Sequence, residues 1–318
     1  MMRCATMRKS YLAMLFLGLT TGPSLSAEPA QDASPVELVS LLGRPLHASP
    51  PGADRAKLEA NLEKARADLA ADPRDPAKVV WVGRRLGYLW RMREAIDVFS
   101  RGIEAQPDFA PLYRHRGHRY ITLRQFDRAI ADLERAAKLI EGKPDEVEED
   151  GAPNEKNIPL TSLGFNVWYH LALARYLQAD FAGAVRDFTK TLEFCRGYDD
   201  NVVAVTDWLY MSLRRSAREK EAAALLASIR EDMTIIENRA YHRRLLMYKG
   251  LHKPVALLST DKASELDVAT YGYGVANLFL YNGHSGRAKS ELERVVSGPY
   301  WPAFGFIAAE VDLARMKN

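Results

Sequence analysis

The stretch "YRHRGHRYITL", Tyr113 to Leu123, concentrates Arg114, Arg116 and Arg119 with His115 and His118. Three chemistries suit such a set. Two imidazoles three residues apart could share a metal, but a third ligand is needed and no Asp, Glu or Cys stands within a turn of them. Several guanidiniums could hold an anion. Alternatively, the stretch is one turn of a repeated helix and its charges divide between faces.

Other catalytic patterns are missing. The chain has no phosphate-cradling GxxxxGK, no GxSxG elbow and no HExxH. Cys4 lies near the start and leaves Cys195 alone, so no intramolecular disulfide or thiolate metal cluster follows. No cofactor is implied, and an enzyme is not expected. The formal charge of +3 over 318 residues comes from Arg3, Arg8 and Lys9. Without them basic and acidic residues balance, so bulk charge gives no support to nucleic-acid binding.

Residues 1–27 read as a secretory signal, with Arg8 and Lys9 ahead of the apolar run "YLAMLFLGL" and the small-residue stretch "SLSA". That run is too short to span a bilayer, which needs about 20 apolar residues. The expectation is an exported chain, periplasmic or extracellular, not membrane-spanning after cleavage, with residues 28–52 as a linker.

The elements that must position the charged stretch emerge from self-similarity. Gly83 and Gly117, Ala95 and Ala129, Phe99 and Leu133, and Gly102 and Ala136 are each 34 residues apart. Small residues recur where two helices approach closely, and large apolar ones recur a turn away. Pro73 and Pro107 share the period.

On these residues the chain resembles the tetratricopeptide repeat family. The resemblance implies an all-α, right-handed solenoid of stacked helix–turn–helix units. A leading half-repeat helix is expected at 53–75, two repeats at 76–141 and an acidic inserted loop at 142–164. Three to four repeats follow at 165–302, one of them degenerate near 237–268, and a capping helix ends the chain at 303–318. The insert, "EGKPDEVEEDGAPNEKNIPLTSLG", is expected as a solvated loop, with folding over the groove as the alternative.

The resemblance also implies a concave groove lined by the first helix of each repeat. Carried over copy by copy, it presents Arg84 and Tyr88, then Arg114 and His118, then Asn166, Tyr169 and Tyr176. Asp207 and Arg214 follow, and Tyr273, Asn277 and Tyr281 close the series. His115 is expected near the rim and Arg119 in solvent, while Arg116 stands where the family places an apolar residue. The Lys and Asn clamp by which one subgroup grips a chaperone C-terminus is not reproduced, since Val80, Arg84 and His115 stand at its positions.

Arg offers a planar fork suited to carboxylates, and Tyr adds contact area with little rotamer entropy to lose. The expected function is a protein-interaction or scaffold module of the cell envelope that holds a peptide or protein segment, possibly acidic, in its groove. The alternative is a small-molecule binder or enzyme using a pocket around Arg114, His118, Asn166, Tyr169 and Asp207. The partner's identity and the oligomeric state are not legible.

Overall fold

In the computed structural model, residues 35–50, 52, 54–259 and 263–317 are described. The signal-peptide reading falls on residues outside these. No helix among the described residues is long and apolar enough to cross a membrane.

The fold is an all-α helical-repeat solenoid. A leading helix α1 (Arg55–Ala71) is followed by six antiparallel pairs: α2 (Pro76–Tyr88) with α3 (Met92–Ala105), α4 (Ala110–Thr122) with α5 (Phe126–Ile140), α6 (Leu163–Leu177) with α7 (Phe181–Thr191), α8 (Asp199–Arg215) with α9 (Glu219–Leu225), α10 (Arg239–Tyr248) with α11 (Pro254–Leu258), and α12 (Glu265–Tyr281) with α13 (Ser285–Ser297). The fifth pair is the shortest. A final helix, α14, spans Phe304–Lys317.

Local sequence sets the starts. Asp54, Asp75, Ser162 and Asp180 each accept a backbone N–H in the first turn of the helix they precede, and Ser264 with Asp267 forms a capping box. Within each pair the turn repeats one unusual feature. Trp90, Arg124, Ala179, Ala217, Gly250 and Gly283 all take positive φ at equivalent places. Glycine accepts that conformation freely, whereas Trp90 and Arg124 hold it at a cost, and both send large side chains toward the C-terminal segment.

The recurring small residues make the pairs close. At Gly83 a Cβ would lie 2.3 Å from the ring of Phe99, which is itself fully buried. Gly83→Ala is therefore expected to cost about 1–3 kcal/mol through overpacking. Urea unfolding checks this, and a midpoint unchanged from wild type would contradict it.

Two expectations are corrected. The segment expected as a linker carries an antiparallel hairpin, β1 (Val36–Val39) with β2 (Pro45–His47). Leu38 and Leu46 enter the main core, and Arg93 Nε donates to the Glu37 carbonyl at 2.6 Å. Polar contacts to distant repeats, invisible to local pattern, hold it. Nor does α14 merely cap an end. Nine consecutive residues, Gly305 to Leu313, are buried, which an end cap with one wet face could not show. Its neighbours include α6, α12 and α13, so it lies inside the solenoid's concave side.

Candidate functional site

Several arginines of the first helices and their turns meet carboxylates or carbonyl oxygens of the same chain. At the N-terminal end the partner is the insert. Glu148 Oε1 lies 3.0 Å from Arg114 Nη2, and Glu148 Oε2 accepts from Asn166 Nδ2 at 3.2 Å. Arg114 Nη1 donates to His115 Nδ1 at 2.9 Å, which leaves the proton of neutral His115 on Nε2, 3.5 Å from Glu148 Oε1. Arg84 donates to the Glu149 carbonyl at 2.8 Å and Arg85 to that of Gly151 at 3.0 Å.

The insert is thereby strapped to the groove at Glu148 and at the Glu149 and Gly151 carbonyls, which corrects the expectation of a wholly free loop, while most of its residues stay exposed. Its roots are fixed as well. Glu148 N donates to Thr161 O at 3.0 Å and Leu163 N to Glu146 O at 2.8 Å. Asp145 accepts from Gly164 N at 2.9 Å, at the positive end of the α6 dipole.

Further along, α14 supplies the carboxylates. Glu310 Oε2 lies 2.5 Å from Arg124 Nη2, and Glu310 Oε1 accepts from Leu41 N at 2.5 Å. Asp312 receives both terminal nitrogens of Arg215 at 3.0 Å and the Tyr273 hydroxyl at 3.0 Å. Tyr176 and Tyr273, from repeats three and six, share a 2.8 Å hydroxyl contact, and Asn277 accepts from Arg215 at 3.3 Å. Arg214 lies 4.3 Å over the ring of Tyr281. Tyr176, Tyr273 and Asn277, placed on the groove as sequence reading expects, are thus covered by the chain itself.

Asp207 is a further correction. It is completely buried and lies 3.0 Å from the equally buried Arg244 of the degenerate repeat, so it neither faces a ligand nor reaches His118. Burial pushes its carboxyl up to about 7, with Arg244 opposing the rise, against roughly 3.9 in an unfolded chain. The folded state thus favours the protonated form. The stability this contributes is complete below about pH 4 and is lost as pH rises through about 7. Asp207→Asn is expected to flatten that decline, read from urea unfolding at several pH values between those limits; a decline parallel to wild type would refute the assignment.

Sequence reasoning missed Arg119, which is largely buried rather than solvated. His115, expected near the rim, is buried as well. Arg116 is explained: its guanidinium grips Asp132 at 2.7 and 2.8 Å and Ser100 at 3.0 Å, bridging repeats one and two. Arg124, Glu310 and Asp312 also escaped notice, because the first sits in a turn and the others outside the repeats.

Two neighbouring cavities meet at His118 and Arg119. An inner one of about 330 Å³ is lined by Arg84, Tyr88, Arg114, His118, Asn166 and Tyr169 among others. An outer cleft of about 860 Å³ shares Tyr88, His118, Arg119 and Phe304 with it. The inner cavity thus gathers four of the five residues of the alternative pocket, without Asp207. His115, His118 and His170 are held well below the usual imidazole range by burial, and by Arg114 and Arg119 beside them. They are neutral at pH 7, so the fixed positive charge of the site is carried by its arginines.

No family model and no curated protein matches the chain. Among solved structures it is similar to a tetratricopeptide repeat protein from Parabacteroides merdae, at 14% identity over 82% of this chain and 94% of that one, with a TM-score of 0.48. It is similar also to YrrB, a TPR protein described as having an unusual peptide-binding site, at 13% identity over 74% and 92%, TM-score 0.43. The APC/C hetero-tetramer Cut9–Hcn1 aligns at 16% identity over 77% of this chain and 43% of that chain, TM-score 0.47. The helix pairing and the recurring small residues, rather than these distant likenesses, carry the repeat assignment.

Proposed function

We propose that this chain is a protein-interaction module that binds an acidic segment of a partner at the N-terminal mouth of its concave groove. The partner's carboxylates would take the place that the Glu148 carboxylate holds on Arg114 and that the Glu149 backbone carbonyl holds on Arg84. One observation carries the reading: arginines of the second and fourth repeats meet carboxylates supplied by segments outside the repeats, Arg114 with Glu148, Arg124 with Glu310 and Arg215 with Asp312. The groove's own occupants therefore display the chemistry it accepts. Charge-assisted, forked contacts of this kind give both energy and register.

Over repeats three to six the occupant is α14, whose removal exposes core. Exchange with a partner is confined to the strapped end, where the insert's acids are partly exposed. Rigid repeats hold the cations in place, which lowers the ordering cost of binding. Export to the periplasm or the extracellular space is part of the proposal and rests on the leading segment's charge and apolar run.

The test uses the chain's own strap as the probe. In a variant with Asp145–Glu155 replaced by a Gly-Ser linker, a labelled peptide of residues 142–160 is expected to bind in trans by fluorescence anisotropy. Arg114→Ala should weaken it by about tenfold, equivalent to 1.4 kcal/mol. A peptide carrying Gln for Glu146, Glu148 and Glu149 that bound equally well would sink the reading.

A further inference from the structure

Arg119 breaks the groove's pattern. Arg84, Arg114, Arg124, Arg215 and Arg244 each reach a carboxylate or carbonyl oxygen. Arg119 makes no ion pair among the described residues, and the one side-chain hydrogen bond it makes there runs from Nη1 to the Met92 sulfur at 3.6 Å. A thioether is a weak acceptor. Its guanidinium lies against the backbone of Gly87, where a Cβ would come within 2.3 Å of Nη1; glycine at that position is what admits it.

A largely buried cation without a counter-charge is costly, since lost hydration is not replaced. Burial and the nearby Arg114 pull Arg119 down to about 10, still far enough above neutrality to keep the charge. The residue also lines both cavities. From this junction the outer cleft runs past Leu58, Trp90, Met92, Tyr300 and Phe304, with the Trp90 and Tyr300 rings edge to face at 5.2 Å. Its volume falls within the roughly 300–1,000 Å³ typical of organic-ligand sites.

We propose that this junction binds an amphipathic organic acid, its carboxylate forked by Arg119 and its apolar body laid along Trp90, Met92 and Tyr300. The Arg119 guanidinium at the junction suits a single negative charge; Asp54, Lys57 and Arg85 also line the cleft, and its aromatic and aliphatic residues supply the apolar contact that an acyl chain or an aryl ring uses. Arg119 offers the paired donors that a carboxylate accepts. His118, neutral beside it, adds a donor or acceptor without changing the charge. The site lies beside the strap, whose Gly151, Ala152 and Pro153 also line the cleft, and it is tested separately from partner binding because its ligand contacts are Arg119 and the outer cleft rather than Arg84 or the Glu148 position.

The test is calorimetry on the chain from residue 35 with decanoate and 4-phenylbutyrate, each against the matching alcohol, at concentrations below micelle formation. The acids are expected to bind at least about tenfold more tightly than the alcohols, a difference of 1.4 kcal/mol. Arg119→Gln should abolish that preference while leaving alcohol binding unchanged; Arg119→Lys should restore part of it, and Arg135→Gln, on an exposed face, should have no effect. The comparison of acid with alcohol on the unaltered chain needs no variant to fold. Equal binding of acid and alcohol, no binding of either acid, or an undiminished acid preference in folded Arg119→Gln each overturns the proposal.

Discussion

Truncation after Pro302 is expected to abolish cooperative unfolding of the whole repeat array. The lost helix buries Phe306, Ile307, Val311 and Leu313 at 0–4% exposure. At about 1.5–3 kcal/mol for each large apolar side chain, these four alone contribute roughly 6–12 kcal/mol. That is comparable with the total stability of an ordinary domain, about 5–15 kcal/mol. The deletion would also strip Arg124 and Arg215 of their carboxylates and expose the Tyr176–Tyr273 contact. Circular dichroism and calorimetry of the truncated chain should show broad melting with helix largely retained near the N-terminus. A sharp transition near the wild-type temperature would mean that α14 is an ornament on an independently stable solenoid.

Glu310→Ala is expected to cost about 3–5 kcal/mol, the range for leaving one member of a buried ion pair without its partner. The side chains of Arg124 and Glu310 are only 3% and 1% exposed. The same carboxylate accepts from Leu41 N, so the substitution also orphans a backbone donor. Arg124 holds a left-handed turn conformation to reach it, and that backbone cost is offset only while the pair exists. The paired change Arg124→Met with Glu310→Leu should recover much of the loss, since apolar residues of similar volume often replace a buried pair without penalty. Chemical denaturation of the two variants beside wild type decides this. A loss below about 1 kcal/mol in the single variant, the size of a surface pair, would show that water reaches the site.

Much of the architecture was legible because repeats restate themselves. Gly83 and Gly117, with Ala95 and Ala129, mark the close approaches, and the short fifth repeat was already visible as a degenerate copy. The groove positions of Arg84, Arg114 and His118 were also legible, because register on a helix fixes which face a side chain takes. What escaped was whatever depends on chain returning from far away. Nothing in "WPAFGFIAAEVDLARMK" shows that Glu310 meets Arg124, 186 residues earlier, and apolar helices that cap an end or fill a groove look alike in composition. Asp207 was misplaced for a similar reason: its partner Arg244 belongs to the repeat whose register was weakest. In the insert the acids were plain, but only the geometry of Arg114 and Asn166 makes Glu148 a strap rather than a solvated charge.

The direct measurement is a double-mutant cycle across the strap, with Arg114→Met, Glu148→Gln and the two combined, in urea unfolding at low and moderate salt. If acidic segments of the chain hold its cationic groove, the pair should couple by about 1–2 kcal/mol, within the range of contacting buried partners. Additivity within roughly 0.3–0.5 kcal/mol, the behaviour of independent sites, would contradict the internal occupancy on which the whole reading rests.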